Sequence, residues 1–422
     1  GNVTLTPGAL SPVQIGSIPG DVQSGSIAIS AANIVVNPGD GAGNVVGIRS
    51  LGNVTLTATG TNIVQAADAA IQANLLTASA VTGINLDGIG NQVTTLNATN
   101  TASGAVTFTN APGTLLAVSG INQAGGNVVI TADDLNIAGA INAGAGTVTL
   151  RPTTLSRNTI IEFSPTVGVL SLSQADIQQV SAARLDIGRL DGTGNVDVNA
   201  YLSDANVQVG TLRLLGGGDV NHLASSRIGD TLGAFNLELR ANNDVNFADS
   251  QVYVGDNRSL TVVADTDVSG VGNVLVDTSE LRVGSSGSNT TGSMAISGND
   301  VTVERSGSTF RPIQVYGAGS QTIAATTGDL IFRNNGFGAD FGSMTVSTTT
   351  GPQVISAAQK ISIIGGTGTG ADAVVQSGGG QTITANQFEL LGGASGTNNR
   401  ALIYTLNASN QTAVIGAGGI IL

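Results

Sequence analysis

The sequence predicts an all-β chain wound as a parallel β-helix, a solenoid of short strands joined by Gly- and Asn-rich turns. Three observations predict it. A short unit is written four times over the last hundred residues, strand-length apolar runs recur throughout, and helix signals are almost absent. In the repeat, Gln321-Thr322-Ile323 returns as Gln353-Val354-Ile355, Gln381-Thr382-Ile383 and Gln411-Thr412-Ala413. A turn-like pair precedes each glutamine: Gly319-Ser320, Gly351-Pro352, Gly379-Gly380 and Ser409-Asn410. A second apolar run follows (Leu330-Ile331-Phe332, Ile361–Ile364, Phe388–Leu391, Ile420–Leu422), and two copies show a third at Ala373–Val375 and Ala401–Ile403. The unit of 28–32 residues is therefore three strands and three turns. Such strands cannot bury an apolar face alone, but stacked units can. Ile323, Ile355 and Ile383 are expected to form one interior column, with Gln321, Gln353, Gln381 and Gln411 as the repeat's other fixed positions.

Composition narrows the alternatives. The 422 residues include 60 Gly but 41% hydrophobic residues, which argues against disorder, and only 3% aromatics, which leaves Val, Ile, Leu, Ala and Thr to fill a narrow interior. Without cysteine there is neither a disulfide nor a thiolate metal site. The net charge of −13 opposes binding to nucleic acid, which Lys and Arg drive. No apolar run is long enough for a membrane-spanning helix.

Along the chain, Val3–Thr6, Ser26–Ile29 and Val54–Thr57 read as strands. Residues 62–80 are the best helical candidate, yet their Asn, Thr and Val content favours short strands. Gly-Asn-Val occurs six times, at Gly1, Gly43, Gly52, Gly126, Gly194 and Gly272, with Asp variants at Asp219, Asp244 and Asp300. Gly and Asn tolerate the turn and Val opens the strand, so corners with stacked Asn side chains are expected ahead of an Asp/Asn cation site.

Charge divides the chain into three stretches. Residues 1–150 hold one basic residue (Arg49) and six acids, residues 151–311 hold eleven Arg and eighteen acids, and residues 312–422 hold three and four. Alternation places Glu238, Arg240, Glu304 and Arg305 on an outward face. With no linker at either boundary, the stretches read as surface changes along one continuous rod. At ~20–30 residues per coil and ~4.8 Å between strands, that rod has roughly 14–21 coils and a length of about 70–100 Å.

Gly52–Thr57, Ala241–Asn246, Ser259–Ala264, Gly298–Val301 and the closing Gly380–Gly393 resemble the passenger repeats of filamentous haemagglutinin-type exoproteins. The resemblance is one of repeat style and covers most of the chain. It implies a right-handed parallel β-helix, exported by a two-partner route to the bacterial surface or medium. The amino-terminal secretion signature of that family is not present; Asn37-Pro38-Gly39-Asp40 is a faint echo. The chain begins at Gly1 without Met, and both ends carry apolar strands rather than polar caps. A segment of a longer protein, or a subunit covered end to end by another, is expected.

Catalytic constellations are sparse. Asp265 and Asp267 alternate onto one face and, with Asp256 and Arg258 one turn earlier, form the tightest acidic group, which reads as solvated surface charge. His222 is the sole histidine; with Asp219 and Ser225 nearby in a Gly-rich loop, it reads as a turn residue rather than a triad base. Calcium at Asp-rich turns is a weaker expectation, since Gly368–Asp372 is one partial match to a calcium-binding nonapeptide. The Gly216–Gly218 run opens no helix for a phosphate, and sequons such as Asn53-Val54-Thr55 are expected by chance. The function expected is structural and non-catalytic, without cofactor: an extracellular adhesin stalk or filament segment meeting ligands on host or neighbouring cells. The alternative is a carbohydrate-active β-helix using paired carboxylates.

Overall fold

In a computed structural model the described residues are 1–6, 14–16, 25–37, 47–230, 233–288, 290–307, 312–336 and 342–422. Among them nearly every element is a strand, and every pairing described below is parallel. The chain divides into two compact units, residues 1–192 with 206–210 and residues 193–205 with 211–422.

In the first unit, coils wind so that equivalent strands lie on one another. Ile34, Ile63, Ile84, Val106, Val128, Val148 and Leu185 stack as one interior column. Val54, Leu76, Leu96, Val118 and Ile137 form a second. Alternation is the cause: in Asn53–Ala58 the inward positions are Val54, Leu56 and Ala58, and a pleated strand sends every second side chain inward. Burying each such Val, Ile or Leu contributes about 1.5–3 kcal/mol. Residues 62–80 are strands, Ile63–Gln65 and Ala70–Ala80, as expected. One element was not anticipated. Gln174–Gln178 is a single helical turn, closed by a capping box between Ser173 and Asp176. The Asp176 carboxylate also accepts the Ile137 backbone N–H at 2.6 Å, which ties the turn to the neighbouring coil.

The second unit has three strands per coil. Val196, Val220, Val245, Val274, Val301, Leu330, Ile361 and Phe388 stack along one face. Leu202, Ile228, Val252, Leu281, Ile313, Val346, Val375 and Ile403 stack along the separate eight-stranded sheet. On the remaining face Leu239, Val262, Ile296, Ile323, Ile355 and Ile383 share a column, and the three repeat isoleucines are all buried.

Beside that column runs another in which chemistry changes along its length. Leu212, Leu237, Leu260 and Met294 are followed by Gln321, Gln353, Gln381 and Gln411. Gln321, Gln353 and Gln381 are buried. Their amides satisfy one another: Gln353 donates to Gln321 at 2.6 Å and Gln381 to Gln353 at 2.6 Å. Gln411 donates to Gln381. The glycine before the second copy of the repeat has a steric cause. A Cβ on Gly351 would lie 1.8 Å from the Gly319 carbonyl oxygen of the adjacent coil.

Arg305 departs from its expected outward place. Its strand, Val301–Arg305, alternates with Val301, Val303 and Arg305 inward, and Arg305 is buried. Its guanidinium donates to the carbonyls of Gly307 and Gly342, and burial lowers its pKa. Charged residue type had outweighed the two-residue period. Glu238, Arg240 and Glu304 are only partly exposed, and they pair as Arg240–Glu238 and Arg333–Glu304.

Candidate functional site

The outward surface of the eight-stranded sheet carries a group of chemically capable side chains in the second unit. All four tyrosines of the chain lie in its strands or directly after one: Tyr201, Tyr253, Tyr316 and Tyr404. Two arginines interleave with three of them. The Arg227 guanidinium lies 5.0 Å from the Tyr201 ring centre and 4.4 Å from that of Tyr253. Arg282 lies 4.5 Å from Tyr253 and 5.7 Å from Tyr316. The stack Tyr201–Arg227–Tyr253–Arg282–Tyr316 thus runs across successive coils, held by cation–π attraction. Register explains it: Tyr201 pairs with Arg227, and Tyr253 with Arg282.

Carboxylates border the stack. Tyr253 donates to Glu280 at 2.5 Å, and burial together with that bond pushes its hydroxyl up to about 12. Arg227 donates to Asp230 at 3.1 Å, and Tyr201 donates to the same carboxylate, a bond that raises the tyrosine's pKa. Asp204 and Asp230 hold each other reciprocally. The Asp230 N–H reaches the Asp204 carboxylate at 3.1 Å, and the Asp204 N–H reaches Asp230 at 3.3 Å. Burial, with the charge of Asp230 behind it, raises the Asp204 pKa. The arrangement offers planar hydrogen-bonding groups, an aromatic edge and one carboxyl inclined to hold a proton. The count of four tyrosines, in a chain without tryptophan, was the signal in the sequence that could have pointed here.

The groups singled out from sequence are not assembled. Asp265 and Asp267 do not alternate on a strand; they follow Ser259–Val263 in a loop where Asp265 takes a positive φ of 56°. Asp265 accepts from Ser269 and Gly270, and Asp256 instead faces Ser285 and Ser288 of the next coil. His222 is not in a turn. It ends the strand Val220–His222, lies buried in the interior column between Val198 and Phe247, and stacks on the Phe247 ring at 5.9 Å. Its partner is Ser226 rather than Ser225, with Nδ1 and Oγ 2.8 Å apart. Because that hydroxyl also donates to the Leu223 carbonyl, Nδ1 carries the proton and Nε2 is left buried without a partner. Burial pushes the His222 pKa down to about 3, so it is no base for a triad.

The Asn and Asp corners are a ladder between coils. Asn195 accepts the N–H of Asp219, Asp219 that of Asp244, and Asp244 that of Asn273. The series continues through Asp300 and Asp329 to the Lys360 N–H. A second ladder joins Asp197, Asn221 and Asn246 through their side chains. Asp372, in the partial calcium motif, is buried and paired with Arg400 at 2.7 Å. Among the described residues no group of three or more His, Cys, Asp or Glu is placed to hold a metal ion, and no helix is long and apolar enough to cross a membrane.

Comparison of the chain with family models, curated proteins and solved structures finds no match.

Proposed function

We propose that this chain is a non-catalytic β-solenoid segment of an extracellular bacterial surface protein, of the filamentous haemagglutinin type, serving as an adhesin stalk or filament segment. One observation carries the reading. Many side chains that could do chemistry are spent on stacking coils: amides on amides in the Gln column, carboxylates on backbone N–H groups at the corners, and the lone histidine inside the core. Partners are then ligands on host or neighbouring cells, met on the solenoid's outer faces, with end-to-end self-association as a further mode. The test is retention of the purified, labelled chain on cell surfaces and immobilised glycans. Absence of retention on any of them opposes the adhesive role.

A carbohydrate-active reading is the second, and the Asp204–Asp230 pair beside Tyr201 and Arg227 favours it. A pair of carboxyl groups, one with its pKa raised, is what glycosidic cleavage requires. Release of reducing ends from a polysaccharide, lost in Asp204→Asn and Asp230→Asn, would replace the first reading with this one.

A further inference from the structure

Most arginines with a side-chain partner in this structure face a carboxylate. Arg184, Arg189, Arg227, Arg240, Arg282, Arg333 and Arg400 each have one within ion-pair distance. Arg151 does not. It ends the strand Ile141–Arg151 in the first unit and is half-buried. Its one side-chain hydrogen bond runs from Nε to the Thr131 hydroxyl of the adjacent coil, at 3.1 Å. No described residue meets the N–H groups of its two terminal nitrogens.

A second cation lies beside it. The strand register sets Leu150 opposite Ile187, so Arg151 falls next to Gly188 and Arg189. Arg189 reaches back to the residue after Arg151, donating from Nη1 to the Pro152 carbonyl at 2.8 Å. Its other side grips Asp191 with two bonds, at 2.7 and 2.8 Å. Asp191 is thereby consumed by Arg189. The nearby carboxylate of Asp133 is buried and fully engaged by the Gly113 N–H, the Thr154 N–H and the Thr154 hydroxyl. Burial first, and the neighbouring Arg189 second, lower the Arg151 pKa.

We propose that Arg151 and Arg189 form a binding site for a single oxyanion, the sulfate or phosphate group of a small ester or of a larger ligand. Arg189 is fixed by Asp191 and the Pro152 carbonyl, which presets the positive field at little entropic cost. Arg151 supplies the free planar fork, which suits the paired oxygens of a tetrahedral anion. With Asp191 present the two guanidinium groups keep one net positive charge, which any monoanion balances; a sulfate or phosphate group is preferred over a carboxylate because it presents three acceptor oxygens rather than two. The site lies wholly within the first unit and is independent of both readings of function given above.

The test uses the full chain and inorganic sulfate, inorganic phosphate and acetate as probes, with chloride at matched ionic strength as reference. Isothermal titration of the wild type should give one saturable site for sulfate and for phosphate, and at least tenfold weaker binding of acetate. Arg151→Gln should weaken the oxyanions at least tenfold, while Arg151→Lys should keep an intermediate affinity. Neither variant should shift the melting point in chloride by more than a few degrees, since the Arg151 side chain makes one hydrogen bond. Sulfate and phosphate matching chloride in the wild type would overturn the proposal, as would undiminished binding in Arg151→Gln. Should Arg151→Gln fail to fold, Arg151→Lys decides: affinity equal to the wild type removes the role assigned to the fork. Titration with a sulfated and a phosphorylated monosaccharide then distinguishes the two ester sources.

Discussion

Replacing His222 by Phe should make the protein less sensitive to acid. In the folded chain the histidine pKa is lowered from 6.5 to about 3 by burial, so the native state resists the proton that the unfolded chain accepts. The sign follows: His222 costs no stability above pH 6.5, and stability is lost as pH falls from there towards 3. For one proton the loss at pH 5 relative to pH 7 is about 2 kcal/mol, growing by about 1.4 kcal/mol for each further unit until the folded pKa is reached. Phe should fit the column between Val198 and Phe247, and Ser226 keeps its bond to the Leu223 carbonyl. The variant gives up one hydrogen bond but also removes an unpartnered buried nitrogen, so its stability at pH 7 should change by no more than about 1 kcal/mol. Urea unfolding at pH 7 and pH 5 measures both chains, and the acidic residues they share cancel in the comparison. Equal loss of stability on acidification in the two proteins would refute the buried, neutral histidine.

Three further perturbations probe the stacking. Ile355→Asp places a charge between Ile323 and Ile383 and should cost roughly 3–5 kcal/mol, read as a lowered unfolding midpoint; an unchanged midpoint contradicts the column. Gln353→Ala strands the amides of Gln321 and Gln381 and should cost about 2–4 kcal/mol, whereas Leu at positions 321, 353 and 381 together should return to within about 2 kcal/mol of the wild type. If single and triple variants fall equally, the amide ladder is not what those positions hold. At the corner, Asp244→Ala removes the acceptor for the Asn273 N–H and should cost about 1–2 kcal/mol, while Asp244→Asn keeps an acceptor and should cost less than about 1; protection of the Asn273 amide against hydrogen exchange checks the difference.

Much of this was legible before any coordinates. The Ile323–Ile355–Ile383 alignment matches the observed register, because copies of one unit have the same turn lengths within a few residues and stack in phase. The turns at Asn195, Asp219, Asp244, Asn273 and Asp300 lie at corners, where a short polar side chain accepts the backbone N–H of the next coil, while the Gly43 copy lies outside the described residues. His222 and Arg305 were misplaced for a shared reason. Each stands two residues after an inward Val, at Val220 and Val303, so the alternation points inward, but polarity was allowed to overrule it. Asp265 and Asp267 depart in the opposite way: their two-residue spacing belongs to a loop, because the strand ends at Val263.

The sequence alone determined the strand content, the parallel coiling and which side of each strand faces inward. All three are local properties, set by the pleat, by apolar period and by turn residues. The tertiary structure alone decided which residues meet across coils outside the repeat: Tyr201 on Arg227 and Arg189 beside Arg151. Those meetings depend on how many residues each turn spends before the next strand. The step between stacked positions varies from Val128–Val148 to Val148–Leu185 without changing the local pattern on either side. Periodicity specifies a face, whereas a neighbour is specified only when the loops close.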